Sequence, residues 1–175
     1  KAYKSSFLAK EGITLSSARA GNVIGGGDWS SDRLIPDILR ALEYNENIMI
    51  RHPHAIRPWQ HVLESLSGYL TLAEKLFEHN SQFSEAWNFG PNDEDIKSVE
   101  WIVKEMAAKW GKNNGWQLDM NNHPYEATSL KLNISKAKSR LGWEPIWNLE
   151  TAITNIVHWH KAWVNKEDAN KICKN

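Results

Sequence analysis

Five polar side chains in the first 61 residues stand where chemistry is done: Asn22, Arg33, Arg51, Arg57 and His61. Each lies in or beside a stretch that reads as a loop following a strand or opening a helix. In open α/β sheets, ligands bind outside the carboxyl ends of the strands. A helix opening at Leu34 would offer unpaired N–H groups and the positive end of its dipole to an anion. Arginines add charge-assisted hydrogen bonds worth ~1.5–3 kcal/mol each to a phosphate. A diphosphate is the group that suits this set. The same arginines would serve equally well in surface ion pairs with Asp32, Asp37 or Glu64, and the residues alone leave both readings open.

Other chemistries find less support. His52-Pro53-His54 and His158-Trp159-His160 are the close histidine pairs. Residues two apart on a helix face different ways, so the second pair cannot share a metal, and the first has no further ligand nearby in sequence. The expectation is no metal. No Gly-x-Ser-x-Gly elbow is present, and the single cysteine, Cys173, sits in a polar tail. Gly21, Gly25, Gly26 and Gly27 do not spell the dinucleotide pattern G-x-G-x-x-G.

The elements that must position these residues read as follows. Lys1 to Lys10 is the end of a helix, stopped by Gly12, and Ile13 to Arg19 is a strand ending in a turn. Arg19 to Trp29 is too rich in glycine for regular structure. A helix runs from Leu34 to Tyr44, with Leu34, Ile35, Ile38, Leu39 and Leu42 on one stripe and Pro36 in its first turn. Asn47 to Ile50 is a short strand, and Arg51 to Trp59 a loop. Val62 to His79 is a helix and Ala86 to Phe89 a strand. Ser98 caps a helix reaching Trp110, and Trp116 to Asp119 and Ser129 to Leu132 are short strands. Asn133 caps a short helix that Gly142 ends, and a last amphipathic helix covers Leu149 to Val164. Helix, glycine, buried strand and functional loop in succession spell an α/β protein with parallel strands.

Composition bounds the rest. With 175 residues, 21 Lys+Arg against 21 Asp+Glu and one cysteine, the chain suits one globular domain without disulfides. Zero net charge argues against nucleic-acid and membrane-surface binding. No apolar run approaches the ~20 residues of a membrane span and no signal peptide opens the chain, so a soluble, cytoplasmic protein is expected. Ten tryptophans suggest a core built on large rings, with Trp29 and Trp59 set apart in loop-like stretches.

Several runs carry a family likeness: Asn22-Val23-Ile24-Gly25-Gly26-Gly27-Asp28-Trp29, Asp32-Arg33-Leu34-Ile35-Pro36-Asp37, and Arg57-Pro58-Trp59-Gln60-His61-Val62-Leu63-Glu64. Trp87-Asn88-Phe89-Gly90-Pro91, Glu126-Ala127, Leu130-Lys131-Leu132 and Leu141-Gly142-Trp143-Glu144-Pro145 add to it. Together they resemble the CDP-glucose 4,6-dehydratase branch of the extended short-chain dehydrogenase/reductases, from the first residue almost to Trp163. The resemblance implies an α/β fold: the last parallel strands of a Rossmann sheet plus a small, mostly helical substrate-binding domain. Residues 1–30 would end the Rossmann-type portion and 31–165 would bind the sugar nucleotide, with one sheet strand returning near 86–90. Residues 166–175 would form a polar tail.

For the intact enzyme the resemblance implies a cytoplasmic, homodimeric lyase for polysaccharide precursors. Tightly held NAD oxidises C4 of CDP-glucose, water leaves across C5 and C6, and the hydride returns to C6. The glycine-rich NAD turn and the Tyr-x-x-x-Lys catalytic pair would lie upstream of Lys1, so no catalytic residue is expected in this chain. Its share would be grip: Asn22 near the diphosphate or sugar, Leu34 and Ile35 against the pyrimidine, Arg33 and Arg57 on the diphosphate, and Glu126 toward the ribose. Trp59 and His61, in the same run as Arg57, join them as substrate-binding candidates. Tyr125 stands where relatives often carry histidine. Alternatives are another NAD(P)-dependent sugar-nucleotide epimerase or reductase, a non-catalytic nucleotide-sugar-binding module, and an inert truncated product with exposed apolar faces.

Overall fold

The computed structural model describes residues 4–112, 115–121 and 127–173. Among the described residues the chain forms an α/β arrangement of three small sheets and five α-helices, with parallel pairing in every sheet. After helical turns at Lys4–Leu8 and Ala9–Glu11, Gly12 takes φ +68° and ends them. Strand β1 (Ser17–Ala20) pairs in parallel with β5 (Ala86–Phe89). Strand β2 (Asn22–Ile24) follows after one glycine and pairs in parallel with β4 (Ile56–His61). The first half of β4 also pairs antiparallel with β6 (Ile96–Ser98). Strands β3 (Ile48–Ile50) and β7 (Trp116–Leu118) form the third, parallel pair.

The helices are α1 (Leu34–Tyr44), α2 (Val62–His79), α3 (Val99–Trp110), α4 (Leu149–Val164) and α5 (Ala169–Ile172). Their ends have local causes. Ser98 Oγ accepts from Trp101 N at 3.3 Å to cap α3, and Asn148 Oδ1 accepts from Thr151 N at 2.8 Å to cap α4. Gly111 (φ +86°) and Gly142 (φ +67°) supply the left-handed conformation that closes α3 and the turn Ala137–Leu141.

Two apolar clusters hold the elements together. The larger joins Ile38 and Leu42 of α1, Ile48 and Ile50 of β3, Ile102 and Met106 of α3, and Ile153 and Ile156 of α4. The smaller joins Leu72, Trp87, Phe89, Leu141 and Trp143. Phe89 meets Trp143 edge-on at 5.0 Å, and a Cβ on Gly68 would lie 2.2 Å from its ring, so α2 needs a glycine there. Ile13 and Leu15 ahead of β1 are 48 % exposed each, and Leu66, Leu70 and Phe77 leave an apolar row open along α2.

Several expectations need correction. Residues 22–24 and 56–59, expected in loops, belong to strands β2 and β4, and β6 was not foreseen. The strand expected from Ile13 begins at Ser17. Of Ser129–Leu132 only a single bridge forms, Ser129 to Ile56. The polar tail contains the helical turn α5. Three of the ten tryptophans are buried, Trp59, Trp87 and Trp143, and each indole N–H has a partner: Lys97 O, Phe83 O and Ser67 Oγ. Trp59 is thus a core residue on β4. Among the described residues no helix is long and apolar enough to cross a membrane.

Candidate functional site

A pocket of about 520 Å³ opens where β2, the start of α1, the end of β3 and the middle of β4 meet. Asn22, Arg33, Leu34, Ile35, Arg57 and Trp59 all line it, with Arg51 and His52 beside them. Six of the eight proposed binding residues, separated by up to 37 positions in sequence, therefore converge.

Local structure explains the convergence. β2 and β4 run side by side with Asn22 opposite Trp59, which brings Asn22 to the strand that carries Arg57. The approach is close: a Cβ on Gly21 would lie 2.3 Å from the Pro58 carbonyl oxygen. Pro58 interrupts no needed bond, because β4 changes partner there, from β6 over Ile56–Pro58 to β2 over Trp59–His61. Trp59, 5 % exposed, donates its indole N–H to Lys97 O at 3.1 Å and fills the floor. Arg33 is the N-cap of α1 and contributes no side-chain cap. The helix therefore presents uncapped N–H groups at the pocket wall, where a negative group gains from them.

The electrostatics are mixed. Arg33, Arg51 and Arg57 share the lining with Asp28, Asp32 and Asp37. Arg33 lies 3.6 Å from Asp28, and Arg51 Nη2 donates to Asp32 at 2.6 Å. Asp37 is paired with Arg40, and Glu64 is remote, bound to backbone elsewhere. The ion-pair alternative is thus realised for Arg51, and for Arg33 with a different acid. These pairs are exposed: the Arg33 side chain is 68 % accessible and that of Asp32 77 %. Exposed pairs are worth about 0–1 kcal/mol, so a diphosphate can displace the carboxylates. The Ser30 backbone N–H above all, and Arg33 and Arg40 less, hold the Asp28 carboxyl below its usual pKa. Burial pushes Asp37 up, against the pull of Arg40. Arg57 Nη1 donates to Ile56 O at 2.9 Å.

Two candidates fall outside the pocket. His61 ends β4 beyond the lining, buried, with its ring 4.9 Å from Trp147. Burial lowers its pKa and Glu64 offsets part of that. Its Nδ1 accepts from Leu63 N at 3.3 Å. Glu126, with Tyr125, lies outside the described residues. His52 is a lining residue that sequence reasoning considered only as a metal ligand. Its Nε2 is buried with no hydrogen-bond partner among the described residues. His54 turns to solvent, 3.9 Å from Glu100. No group of three His, Cys, Asp or Glu that could hold a metal occurs among the described residues.

The glycines do not cradle a dinucleotide. Gly21 packs on Pro58, a Cβ on Gly25 would meet Val62 at 3.0 Å, and one on Gly26 would meet the Trp159 ring at 2.7 Å. Each close approach is taken up by the chain itself, so the described residues do not fit an NAD turn.

No protein-family model matches the chain. In sequence it is 55 % identical over 172 residues to the CDP-glucose 4,6-dehydratase of Salmonella typhimurium, covering 95 % of this chain and 48 % of that protein. Among solved structures it is similar to UDP-glucose 4-epimerase of Thermotoga maritima, determined with UDP-glucose, at TM-score 0.79 and 20 % identity over 93 % of this chain and 51 % of that one. It is also similar to dTDP-glucose 4,6-dehydratase of Bacillus anthracis, determined with NAD, at TM-score 0.72 and 17 % identity over 98 % and 50 %. The chain spans about a third of the length of the decarboxylase and epimerase relatives it matches and about half that of the Salmonella enzyme. Over that half it has the fold of the extended short-chain dehydrogenase/reductase dehydratases and epimerases, and its sequence is similar to CDP-glucose 4,6-dehydratase almost from end to end.

Proposed function

We propose that this chain is the sugar-nucleotide-binding part of a CDP-glucose 4,6-dehydratase, the lyase that removes water from CDP-glucose to give CDP-4-keto-6-deoxyglucose. One observation carries the reading: a single pocket gathers Asn22, Arg33, Arg57 and the uncapped start of α1, in a chain 55 % identical over 172 residues to such an enzyme. In this reading Arg33 and Arg57 take the diphosphate, and Asn22 holds the diphosphate or the sugar. Leu34 and Ile35 lie against the pyrimidine, and Trp59 supports the floor. Glu126 keeps its proposed place toward the ribose. His61 is better read as a packing residue under the Trp147 ring.

The chemistry belongs to the intact protein. NAD would supply reversible hydride transfer at the sugar, and its grip, like the catalytic tyrosine and lysine, is assigned to the part of the relatives that this chain does not span. The division into residues 1–30, 31–165 and 166–175, the homodimer and the cytoplasmic location are proposed on the same footing. What the chain's own residues do is bind and orient. Binding energy collected at the nucleotide holds the hexose at the reacting centre without itself taking part.

Calorimetric titration of the chain with CDP tests this. Losing the Arg57 contact to a diphosphate removes ~1.5–3 kcal/mol, so Arg57→Ala is expected to weaken CDP binding by roughly 10- to 150-fold. Equal affinity for CDP in wild type and variant refutes the assignment. With the intact protein, a 4-keto-6-deoxy product supports the dehydratase, whereas an epimerised CDP-hexose would favour an epimerase.

A further inference from the structure

Trp29 sits in the loop 25–33 that carries four pocket residues, Gly25, Asp28, Asp32 and Arg33, yet its own ring does not line the pocket. It is seated against α4 instead, with ring centroids 4.4 Å from Trp163, 5.3 Å from His160 and 6.2 Å from Trp159. That seat is rigid on its inner side, because His160 is 2 % exposed and its Nε2 lies 3.1 Å from Glu43 of α1. The backbone ahead of Trp29 lies against the Trp159 ring, which a Cβ on Gly26 would meet at 2.7 Å, and Gly27 turns the chain at φ +75°. Arg40 donates to Trp29 O at 3.3 Å and to Ser30 O at 3.5 Å. One edge of the loop is therefore fastened to α4 and α1. The other edge delivers Asp28, Asp32 and Arg33 to the pocket.

We propose that Trp29 is a positioning residue for the nucleotide: its ring fastens loop 25–33 to α4 and thereby holds Arg33 at the pocket. The proposal rests on the reading of the pocket as a diphosphate site. Arg33 cannot hold itself in place. Its carbonyl accepts from Asp37 N at 3.0 Å, which ties one side of its backbone to α1, while the other side is the loop, and its side chain, 68 % exposed and 3.6 Å from Asp28, is held only weakly. Three successive glycines, Gly25 to Gly27, leave that backbone free to wander unless something anchors it. An unanchored loop lowers the population of the binding-competent arrangement, and apparent affinity falls by the same fraction.

The test is calorimetric titration of the chain with CDP, each variant first checked for native far-UV circular dichroism and a cooperative melt. Trp29→Ala is expected to bind CDP about tenfold more weakly, and Trp29→Phe, which keeps an aromatic ring, within about threefold of wild type. Because Trp29 acts through Arg33, Trp29→Ala combined with Arg33→Ala should bind within about twofold of Arg33→Ala alone. Combined with Arg57→Ala, on another element, the two effects should multiply. Gly26→Ala keeps every ring but pushes the loop off Trp159; it should match Trp29→Ala and replaces it if that variant does not fold. Unchanged affinity in Trp29→Ala or Gly26→Ala overturns the proposal, as does full multiplicativity with Arg33→Ala. If Arg33→Ala and Arg57→Ala both leave CDP affinity unchanged, the diphosphate reading itself fails, and the positioning role falls with it.

Discussion

Replacing Gly21 by alanine is expected to damage fold and site together. Gly21 is the single residue between β1 and β2, where the chain leaves its pairing with β5 and takes up pairing with β4. Its N–H donates to Phe89 O at 3.3 Å, so the backbone is held from one side. A Cβ would sit 2.3 Å from Pro58 O, 3.1 Å from Pro58 Cγ and 3.2 Å from Pro58 Cβ. The nearest of these atoms is backbone, and its contact with the added carbon is roughly 1 Å short of van der Waals distance. No side-chain rotation relieves that, so β2 and β4 must part. Overpacking of this kind costs about 2–3 kcal/mol. For a chain of this length each kcal/mol lowers the melting temperature by roughly 2–4 °C, giving a drop of roughly 4–12 °C. Asn22 follows Gly21 directly and Arg57 precedes Pro58, so the same separation displaces two pocket residues, and CDP affinity should fall about tenfold. Thermal melting by circular dichroism and CDP calorimetry below the transition give the two readouts. Gly115→Ala is the control: a Cβ there meets nothing within 4 Å among the described residues. If Gly21→Ala melts within 2 °C of wild type, as Gly115→Ala should by about the same margin, the reasoning from strand contact is refuted.

Glu64 is 5 % exposed, and its two carboxylate oxygens accept from Ile146 N at 2.9 Å and Trp147 N at 3.1 Å. Glu64→Ala should therefore cost about 3 kcal/mol in urea unfolding, and Glu64→Gln, which keeps one acceptor, about half of that. Burial lowers the His61 pKa from 6.5, with Glu64 raising it in part, so folding favours the neutral ring. His61 therefore contributes its full stability above pH 6.5 and loses it as the pH falls from 6.5 through the folded value. The melting temperature should drop between pH 7.5 and pH 5 less steeply in His61→Asn than in wild type; equal slopes would contradict this. Asn148→Ala should destabilise by about 1 kcal/mol through loss of the α4 cap, and Ser98→Ala, whose cap bond is longer, by less.

Legibility followed the physics of each segment. α1, α2, α4 and β5 begin and end where the apolar stripes and caps placed them, because those segments bury one face and are punctuated by good caps or turn residues. The loop assignments for 22–24 and 56–59 failed for two reasons: β2 is only Asn22-Val23-Ile24, hidden between Gly21 and Gly25, and β4 holds Arg57 and Pro58 where β-branched residues would be expected. Pro58 would disqualify an ordinary central strand, but it sits where β4 exchanges β6 for β2, a partner switch that no local pattern encodes. The pocket was legible where residues flanked helix starts and strand ends, as Asn22, Arg33 and Arg57 do. His61 misled because each strand residue advances ~3.3 Å, so two positions past Trp59 carried it beyond the rim. His52 and the aromatic seat of Trp29 depend on contacts with α1 and α4 more than 100 residues away in the case of the tryptophan, and nothing short-range announces them.

The central claim is that the cavity between β2, β4 and α1 is the seat of a diphosphate. Diffraction from crystals of this chain soaked in CDP addresses it directly. The account predicts a diphosphate with its oxygens about 3 Å from the Arg57 guanidinium and the first-turn N–H groups of α1, with Arg33 released from Asp28 to meet it. CDP bound on another surface, with Arg33 still paired to Asp28 and Arg51 to Asp32, would contradict it.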